Sequence, residues 1–362
     1  MADEDDSCMS APFSDFSGLA EDIRTWARDL GFDEIGITDT RLDEHEAHLI
    51  NWLDAGFHGE MRYMSRHGRK RSRPETLVPG TVRIISARMN YQPPKARDET
   101  EVLADRKLAY ISRYALGRDY HRLIRKRLQK LAERITAKAG PFGYRAFTDS
   151  APVLEKALAE KAGLGWIGKH TNLINRTSGS WFFLGELYTD LPLPVDQPSG
   201  NHCGTCSTCM EVCPTQAIIG PYQLDARRCI SYHTIELKGT IPLEFRKAIG
   251  NRVFGCDDCQ LFCPWNRFGK KATLADFAVR HHLDAPELVR LFAWSEDDFL
   301  YKTQGSAIRR IGYECWLRNL AVALGNAEST AEVIQALKAR QHHSSVLVRE
   351  HVAWALEQHA AL

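Results

Sequence analysis

The chain has 362 residues, 44% of them hydrophobic, and a formal net charge of +1 at pH 7. Its length predicts about two or three domains, and the balanced charge excludes a global attraction to nucleic acid, so any such binding depends on local basic patches. No segment is apolar enough to cross a membrane, and the acidic start lacks the basic and apolar parts of a signal peptide. We therefore expect residues 1–16 to be a loose tail, and no membrane contact.

Residues 17–190 alternate helical and extended patterns, which predicts an α/β domain. The last predicted helix of this domain begins at Ser150, which is expected to cap it. The predicted helices span residues 19–30, 41–56, 119–139 and 150–162. The predicted strands span residues 33–38, 81–90, 108–114, 144–149 and 181–189.

Gly163, Gly165 and Gly168 form the pattern GxGxxG, which is typical of dinucleotide-binding sites. That site needs a strand before the glycines and a helix after them, so that the helix start meets the pyrophosphate. Here a predicted helix precedes the pattern and an extended segment follows it. We therefore reject nicotinamide binding, although the glycines would let the backbone approach a large flat cofactor closely.

Eight cysteines lie between residues 203 and 263, after a proline-rich linker at residues 191–200. Seven follow the spacings CxxCxxCxxxCP and CxxCxxxCP, and Cys229 stands between the two runs. In bacterial ferredoxins such a run gives three thiolates to one [4Fe–4S] cluster and its last, before proline, to the other. The spacing therefore predicts an α+β two-cluster ferredoxin domain at residues 201–270. One cluster would be held by Cys203, Cys206, Cys209 and Cys263, and the other by Cys213, Cys229, Cys256 and Cys259.

Zinc is the alternative that the paired CxxC elements leave open, because four thiolates also form structural zinc sites. A third cysteine at CxxCxxC and two CP pairs favour clusters. A disulfide framework is less consistent with a chain of this length. Oxygen-sensitive clusters, unpaired thiols and the missing export signal together predict a cytoplasmic protein.

Residues 271–362 are predicted to be helical, with helices at residues 311–324 and 345–360 and a capping box at Ser329 and Glu332. Short antiparallel helix pairs of this kind are typical of a HEAT-like repeat. Because one or two repeats cannot bury a core alone, we expect this domain to pack on the rest of the chain.

Basic residues crowd three stretches, at residues 62–73, 118–130 and 309–318. Taken singly, each stretch is more consistent with a solvated helix face than with a nucleic-acid site. The three together are the local patches that such binding would require.

Several segments, together with the displaced Cys229, closely resemble epoxyqueuosine reductases. The likeness covers nearly the whole chain, and the acidic N-terminal tail is the part without a counterpart. The segments are RSRPETLVPG, ISRYALGRDYHRLIRKRL, FTDSAPVLEKALAEKAGLGWIGKHTNLI, RCISYHTIELKG, CQLFCPWN and GSAIRRIGYECWLRNLAVALGN.

The resemblance implies a cobalamin-dependent iron–sulfur enzyme, related in its core to reductive dehalogenases, that performs the last step of queuosine synthesis. The epoxide of epoxyqueuosine, at the wobble position of a tRNA with a GUN anticodon, would be reduced to the cyclopentene while its oxygen leaves as water. Electrons from an external low-potential donor would pass through two [4Fe–4S] clusters to cobalamin. We expect the enzyme to be a monomer.

The family motifs also imply residues that contact the cofactor and the tRNA. Because Ser231 closely follows Cys229, the second cluster would be the one nearer the corrinoid. Phosphates of the tRNA would contact Arg309, Arg310 and Arg318. Cobalamin would contact Arg73, Tyr114, Asp149, Lys169, His170, Thr171, Asn172 and Ser231.

The corrinoid is expected to bind without a histidine ligand to cobalt and with its dimethylbenzimidazole tail off the metal. Enzymes that supply a histidine carry DxHxxG, and here Asp119 and His121 give DxH while Ile124 stands in place of the glycine. We therefore expect His121 to be a surface or packing residue.

Asp149 is the expected proton donor, because expelling the epoxide oxygen requires a proton at that oxygen. At a helix start the dipole would favour its anion by roughly 0.3–1 kcal/mol, so desolvation by the corrin and nucleoside must raise its pKa. The competing interpretation is a simple helix cap or salt-bridge residue.

Three other functions use the same motifs. A reductive dehalogenase would act on a small molecule, and such enzymes usually carry a twin-arginine export signal that this chain lacks. A ferredoxin-like electron carrier would leave residues 18–190 without a role. A nucleic-acid-binding protein with structural clusters would bind tRNA without turning it over.

Overall fold

The computed structural model describes residues 14–360, so residues 1–13 of the expected tail lie outside the described range. The helices are α1 (Phe16–Asp29), α2 (Asp43–Asp54), α3 (Pro74–Leu77), α4 (Glu99–Ala104), α5 (Tyr120–Ala139), α6 (Glu155–Lys161), α7 (Thr208–Glu211), α8 (Leu243–Ile249), α9 (Asp258–Leu261), α10 (Leu288–Phe292), α11 (Glu296–Lys302), α12 (Tyr313–Gly325), α13 (Ala331–Ala339) and α14 (Val346–Ala360). The strands are β1 (Glu34–Thr38), β2 (Arg83–Asn90), β3 (Tyr110–Ile111), β4 (Tyr144–Phe147), β5 (Trp166–Ile167), β6 (Leu173–Ile174), β7 (Phe182–Thr189), β8 (Ile218–Gly220), β9 (Gln223–Leu224) and β10 (Arg252–Phe254). None of these helices is long and apolar enough to cross a membrane.

The main sheet has four strands in the order β1-β2-β7-β4. Each neighbouring pair is antiparallel, with Ile85 opposite both Ile37 on β1 and Leu187 on β7. The mixed helix and sheet content agrees with the sequence-based expectation, but the α/β assignment was wrong for this sheet. Alternating helical and extended segments fit an antiparallel sheet as well as a parallel one, because the pattern does not record strand direction.

Both faces of this sheet are covered by helices. Leu187 packs in a core with α1 and α5, whereas the next residue, Tyr188, packs with Phe147 and Leu158 of α6 on the opposite face. All eight residues of β7 are buried, which fits the apolar residues that make up most of this strand. The residues of β7 that point towards α6 therefore lie in a closed interior layer.

The predicted helix at residues 150–162 begins later than expected. The chain after β4 is irregular until α6 starts at Glu155, and Ser150 is not its cap. Pro152 disfavours a helical conformation in the residue before it, and Asp149 adopts a left-handed backbone with φ 52°. Asp149 therefore lies on a loop and not at a helix N-terminus, so the expected dipole effect does not apply to it.

The C-terminal helices share one core with residues from earlier in the chain. This core extends from Ala109 through Phe254 to Trp316 of α12 and Ala355 of α14. The helices predicted at residues 311–324 and 345–360 are present as α12 and α14. The capping box predicted at Ser329 was wrong: the hydroxyl of the next residue accepts the bond at the start of α13, while Ser329 Oγ lies 2.7 Å from a ring nitrogen of His359.

Candidate active site

Two adjoining cavities, with volumes of about 400 and 630 Å³, lie at the carboxyl end of β4. Tyr63, Arg71 and Asp149 line both of them. The smaller cavity is lined by several charged side chains from distant parts of the chain, among them Arg71, Glu236 and Arg310. The larger one has apolar walls that include Leu49, Trp52, Met61 and Met64. The carboxyl group of Asp149 is therefore the acidic group at the junction of a polar and an apolar compartment.

Asp149 is held by two consecutive residues at the start of α5. The Tyr120 hydroxyl donates a hydrogen bond to Asp149 Oδ2, and His121 Nε2 lies 3.1 Å from the same oxygen. The other ring nitrogen of His121 lies 2.6 Å from Asp119 Oδ1. Arg310 Nη1 lies 3.0 Å from His121 Nε2. These contacts join α5, the Asp149 loop and the C-terminal helical region in one polar network.

The pKa of Asp149 is lowered by the protein groups around it. Desolvation raises this pKa, but the hydrogen bonds from His121 and Tyr120, with the charges of His121 and Arg310, outweigh it. About half of the Asp149 side chain (54%) remains exposed to the cavities. Desolvation lowers the pKa of His121, but Asp119 and Asp149 raise it by more. Both shifts favour the charged forms, an imidazolium at His121 beside a carboxylate at Asp149.

His121 is not the surface or packing residue that the sequence suggested. It is 5% exposed, and both ring nitrogens have polar partners. The run Asp119–Tyr120–His121 at a helix start was the available signal, but it was considered only as a cobalt-binding motif. The contact between His121 and Asp149 joins residues 28 apart, which local sequence patterns do not report.

Glu155, at the start of α6, is another residue that the sequence analysis missed. Its Oε1 accepts a hydrogen bond from the backbone N–H of Asp149, and its side chain lines the larger cavity. The neighbouring Lys156 donates from Nζ to the carbonyl oxygen of Thr171 at 2.7 Å. The first turn of α6 thus supports both the Asp149 loop and the segment after GxGxxG.

The eight cysteines of residues 203–263 form two groups of four free thiols. Desolvation and the neighbouring thiols of Cys263, Cys203 and Cys206 raise the pKa of Cys209 to about 11. The remaining four cysteines also lie near one another. Desolvation and nearby charges, including the other thiols, raise the pKa of Cys229 and raise the pKa values of Cys256 and Cys259 well above the ordinary range. Those electrostatic contacts join Cys213, Cys229, Cys256 and Cys259.

This donor set fits two four-thiolate clusters by its composition and grouping. In residues 14–360, no three His, Cys, Asp or Glu side chains converge as the ligands of a single metal ion would. Backbone and side-chain groups of Ser231 form hydrogen bonds with the Cys229 thiol. A π-helical turn, Tyr232–Glu236, follows directly, and its Glu236 lines the smaller cavity. One short segment therefore connects the second thiol group with the cavity that contains Asp149.

The residues expected to contact cobalamin are only partly brought together. Tyr114 and Asp149 line the smaller cavity, and Asp149 and Thr171 line the larger one. Lys169 points towards the first thiol group, because its Nζ donates to the carbonyl oxygens of Gly204 and Cys206.

The other expected cofactor residues lie away from the two main cavities. Arg73 forms a bidentate ion pair with Glu46. His170 is buried, with Nδ1 accepting a hydrogen bond from the backbone N–H of Asn172, and Asn172 lines a separate cavity of about 120 Å³. Ser231 lies at Cys229, as described above.

The three arginines expected to bind tRNA have different environments. Arg310 lines the smaller cavity, and Arg309 is exposed. Arg318 was wrongly assigned, because its side chain is fully buried and donates to the carbonyl oxygens of His233, Leu237 and Gly239. All but the first residues of α12 are buried, so Arg318 forms its hydrogen bonds inside the protein and not with a ligand at the surface.

Comparison with known proteins gives matches along nearly the whole chain. A family model described as "Epoxyqueuosine reductase QueG, DUF1730" matches residues 71–150, and one described as a "4Fe-4S double cluster binding domain" matches residues 202–266. The chain is 65% identical over 342 residues to an epoxyqueuosine reductase of Pseudomonas aeruginosa, covering 94% of each chain. It is 57% identical over 350 residues to the Escherichia coli epoxyqueuosine reductase, covering 97% of this chain and 92% of that one.

Solved structures give the same result for the fold. An epoxyqueuosine reductase with an epoxyqueuosine-modified tRNA-Tyr stem loop superposes with a TM-score of 0.87 at 29% identity, covering 95% of this chain and 91% of that chain. The Bacillus subtilis epoxyqueuosine reductase, with its catalytic aspartate loop swung out of the active site, has a TM-score of 0.84 at 28% identity and the same coverage.

Proposed function

The chain belongs to the epoxyqueuosine reductase family, and on this premise we propose that it reduces epoxyqueuosine to queuosine at the wobble position of tRNA anticodons. The observation that carries this conclusion is the position of Asp149, at the junction of two cavities and in contact with His121, whose pKa is raised. Opening an epoxide requires electrons at carbon and a proton at oxygen. The site supplies a proton where the two cavities meet.

The two thiol groups hold two [4Fe–4S] clusters, and cobalamin is proposed as the third redox group. The larger cavity supports this assignment, because its apolar walls adjoin Asp149 and the α6 segment near Cys259. Bound there, cobalamin would supply a cobalt centre able to pass electrons to the substrate. Thr171, Lys156 and Tyr63 are the side chains in position to hold it.

We propose that no histidine ligates cobalt and that the nucleotide tail lies off the metal. His121 supports this arrangement, because Asp119 occupies one ring nitrogen and Asp149 and Arg310 face the other. It also lines the smaller cavity rather than the larger one. The histidines of the larger cavity are His45 and His48.

Electrons are proposed to enter at the first cluster and leave from the second. Cys203, Cys206, Cys209 and Cys263 would hold the first, and Cys213, Cys229, Cys256 and Cys259 the second. The segment from Cys229 to Glu236 supports this order, because it begins at the second thiol group and ends in the smaller cavity. The donor would be an external low-potential carrier.

The smaller cavity is proposed to receive the modified base, with arginines near its rim holding phosphates. Single-stranded loops are recognised by bases turned outward and by Arg or Lys contacts to the backbone. Arg66 and Arg310 line this cavity, and the residue before Arg310 in the chain, Arg309, is exposed. A tRNA with a GUN anticodon is the proposed substrate, and the enzyme is proposed to act as a monomer in the cytoplasm.

We also propose the domain limits that follow from the sequence. They are a cofactor and catalytic domain at residues 17–190, a linker at residues 191–200, a cluster domain at residues 201–270 and a helical domain at residues 271–362. The continuous core from Ala109 to Ala355 means that these units fold against one another.

The test is anaerobic turnover of tRNA carrying epoxyqueuosine, with added cobalamin and a low-potential reductant. We expect the wild-type enzyme to form queuosine, and Asp149→Asn to lose about 10²–10⁴-fold in rate while it keeps its cofactors. Asp54→Asn, on the exposed end of α2, is the matched control and should be fully active. Failure of the cofactor-loaded wild type to convert the tRNA would contradict the function, and undiminished turnover by Asp149→Asn would contradict the role of Asp149.

A further inference from the structure

Two glutamates face each other in the interior behind the Asp149 loop. Glu186 lies on β7, on the face covered by α6, and is fully buried. Neither of its carboxyl oxygens receives a hydrogen bond from a described N–H or O–H group. Its side-chain partner is the carboxyl group of Glu155. An unpaired carboxylate in such a place is very unfavourable, so this pair must hold at least one proton.

Neighbouring buried carboxyl groups share a proton because two adjacent negative charges repel each other in a poorly solvated interior. Desolvation and the charges of Glu155 and Asp149 raise the pKa of Glu186 well above its ordinary range. Desolvation and Asp149 likewise raise the pKa of Glu155 to about 7. The pair is therefore able to release a proton near neutral pH.

The pair is directly connected to the reaction site. Glu155 accepts the backbone N–H of Asp149 and lines the larger cavity, where Asp149 is also exposed. Glu186 lies behind Glu155, closed off from solvent. A proton held between the two carboxyl groups thus has a route to the cavity through Glu155.

The reaction needs more protons than one carboxyl group provides. Converting an epoxide to an alkene breaks both C–O bonds, takes up two electrons and releases the oxygen as water, which consumes two protons. The Asp149–His121 pair stores one proton. A second must reach the same oxygen before water can leave.

We propose that the Glu155–Glu186 pair supplies the second proton of each turnover, with Glu155 as the group that transfers it. This inference rests on the proposed function. In the balanced step, the two electrons would come from the clusters and the proposed corrinoid. Asp149 passes the proton that it shares with His121 to the oxygen as the first C–O bond opens, and Glu155 protonates the oxygen again as the second breaks. Glu186 then gives its proton to Glu155, and protons from solvent in the cavity return to Glu186 by way of Glu155.

Other ionisable groups near this pair influence its titration. They come from the Asp149 loop, from α5, α6 and β7, and from the segment before α3. These groups are Asp149, Tyr120, His121, Lys156, Tyr188 and Arg71.

The first test is infrared spectroscopy of the holoenzyme at neutral pH. A protonated carboxyl group has a C=O absorption that is distinct from those of carboxylates and shifts in D₂O. We expect this absorption in the wild type, its loss in Glu186→Gln, and its retention in Glu133→Gln, a control on the exposed side of α5. An unchanged absorption in Glu186→Gln would overturn the shared proton.

The second test is the pH dependence of single-turnover reduction. Wild-type turnover should fall as pH rises through the titration of Glu155. In Glu186→Gln the hydrogen bond from the protonated Glu186 carboxyl group, which lowers the pKa of Glu155, is replaced by a weaker amide contact, so this fall should move to higher pH. Turnover at neutral pH should be about 10–100-fold slower, because the proton held by Glu186 is missing. Glu133→Gln should keep the wild-type profile. An alkaline limb that is identical in wild type and Glu186→Gln would overturn the role in proton supply.

Thermal unfolding and the visible absorption of the clusters establish that each variant is folded. If Glu186→Gln does not fold, Glu155→Gln provides the same two readouts, because its side chain is only partly buried. It should keep the absorption of the protonated Glu186 carboxyl group, whose pKa is raised mainly by burial, and turn over slowly at every pH. If the wild type did not reduce epoxyqueuosine, the proposed function would fail, whereas the infrared result would still decide whether the pair holds a proton.

Discussion

His121 Nε2 lies 3.1 Å from Asp149 Oδ2 and 3.0 Å from Arg310 Nη1. Because Asp119 accepts a hydrogen bond from the other ring nitrogen, the protonation state of Nε2 decides which neighbour it binds. A protonated Nε2 donates to Asp149, and a neutral one accepts from Arg310. Proton transfer to Asp149 is thus coupled to a change in the contacts of an arginine that we propose lies near the tRNA.

This coupling predicts a pH-dependent contribution of His121 to stability. Its pKa is raised in the folded state, so the stabilisation is fully present below the ordinary imidazole pKa and is lost as pH rises through the folded value. We expect His121→Gln to lower the free energy of unfolding by about 1 kcal/mol near pH 6, and by less at alkaline pH. Urea denaturation across this range measures the effect. A difference that grows with pH would contradict it.

The proposed role of Cys229 as a ligand of the second cluster predicts that its replacement removes one cluster and not both. Cys229→Ser removes one of four ligands from the second group, so we expect roughly half of the wild-type iron and sulfide after reconstitution. Cys315→Ser, at a buried thiol of α12 outside both groups, should keep the full content. Iron analysis and electron paramagnetic resonance of the reduced protein distinguish the two. Full iron content in Cys229→Ser would show that another ligand completes the second cluster.

The proposed tRNA surface predicts different effects for neighbouring arginines. Arg309→Ala with Arg310→Ala should weaken tRNA binding and reduce its salt dependence, because two phosphate contacts are lost. Arg28→Ala, on an exposed part of α1, is the control and should leave affinity unchanged. Filter binding at several salt concentrations measures both. Equal affinities for the double variant and the wild type would contradict this placement.

In contrast to the exposed arginines, Arg318→Met should lower the stability of the fold. Removing the buried guanidinium leaves three backbone carbonyl groups without their donor, at a cost of about 3 kcal/mol. We expect this variant to unfold at a lower temperature and to lose the second cluster. The salt dependence of its tRNA binding should remain that of the wild type. Wild-type thermal stability in this variant would contradict the structural role.

The proposed absence of a histidine ligand to cobalt predicts a spectroscopic result. The reduced paramagnetic cobalt form should show no hyperfine splitting from an axial nitrogen. His45→Ala and His48→Ala change the histidines of the larger cavity and should leave that spectrum as it is in the wild type. An axial nitrogen signal that disappears in one of these variants would identify the ligand and overturn the proposal.

The sequence predicted the family and its reaction because the information lies in local spacing and in long motifs. Residues such as Cys203 and Cys206 are close in sequence, so a shared role can be inferred from their spacing. The partners of Asp149 are not readable in this way, since His121 and Glu155 reach it from separate helices. The prediction for Arg318 was wrong for a related reason. A charged side chain in an amphipathic pattern is expected to be exposed until the groups that surround it are known.

The buried guanidinium of Arg318 also has a consequence for biosynthesis. Its hydrogen bonds connect carbonyl groups shortly after Cys229 to a helix that begins at Tyr313, more than eighty residues later in the chain. A nascent chain therefore exposes the second set of thiols on the ribosome before the helix that fixes their loop has been made. We expect the second cluster to be assembled only after the chain is complete. The first group of thiols does not depend on these hydrogen bonds, so its cluster is able to assemble earlier.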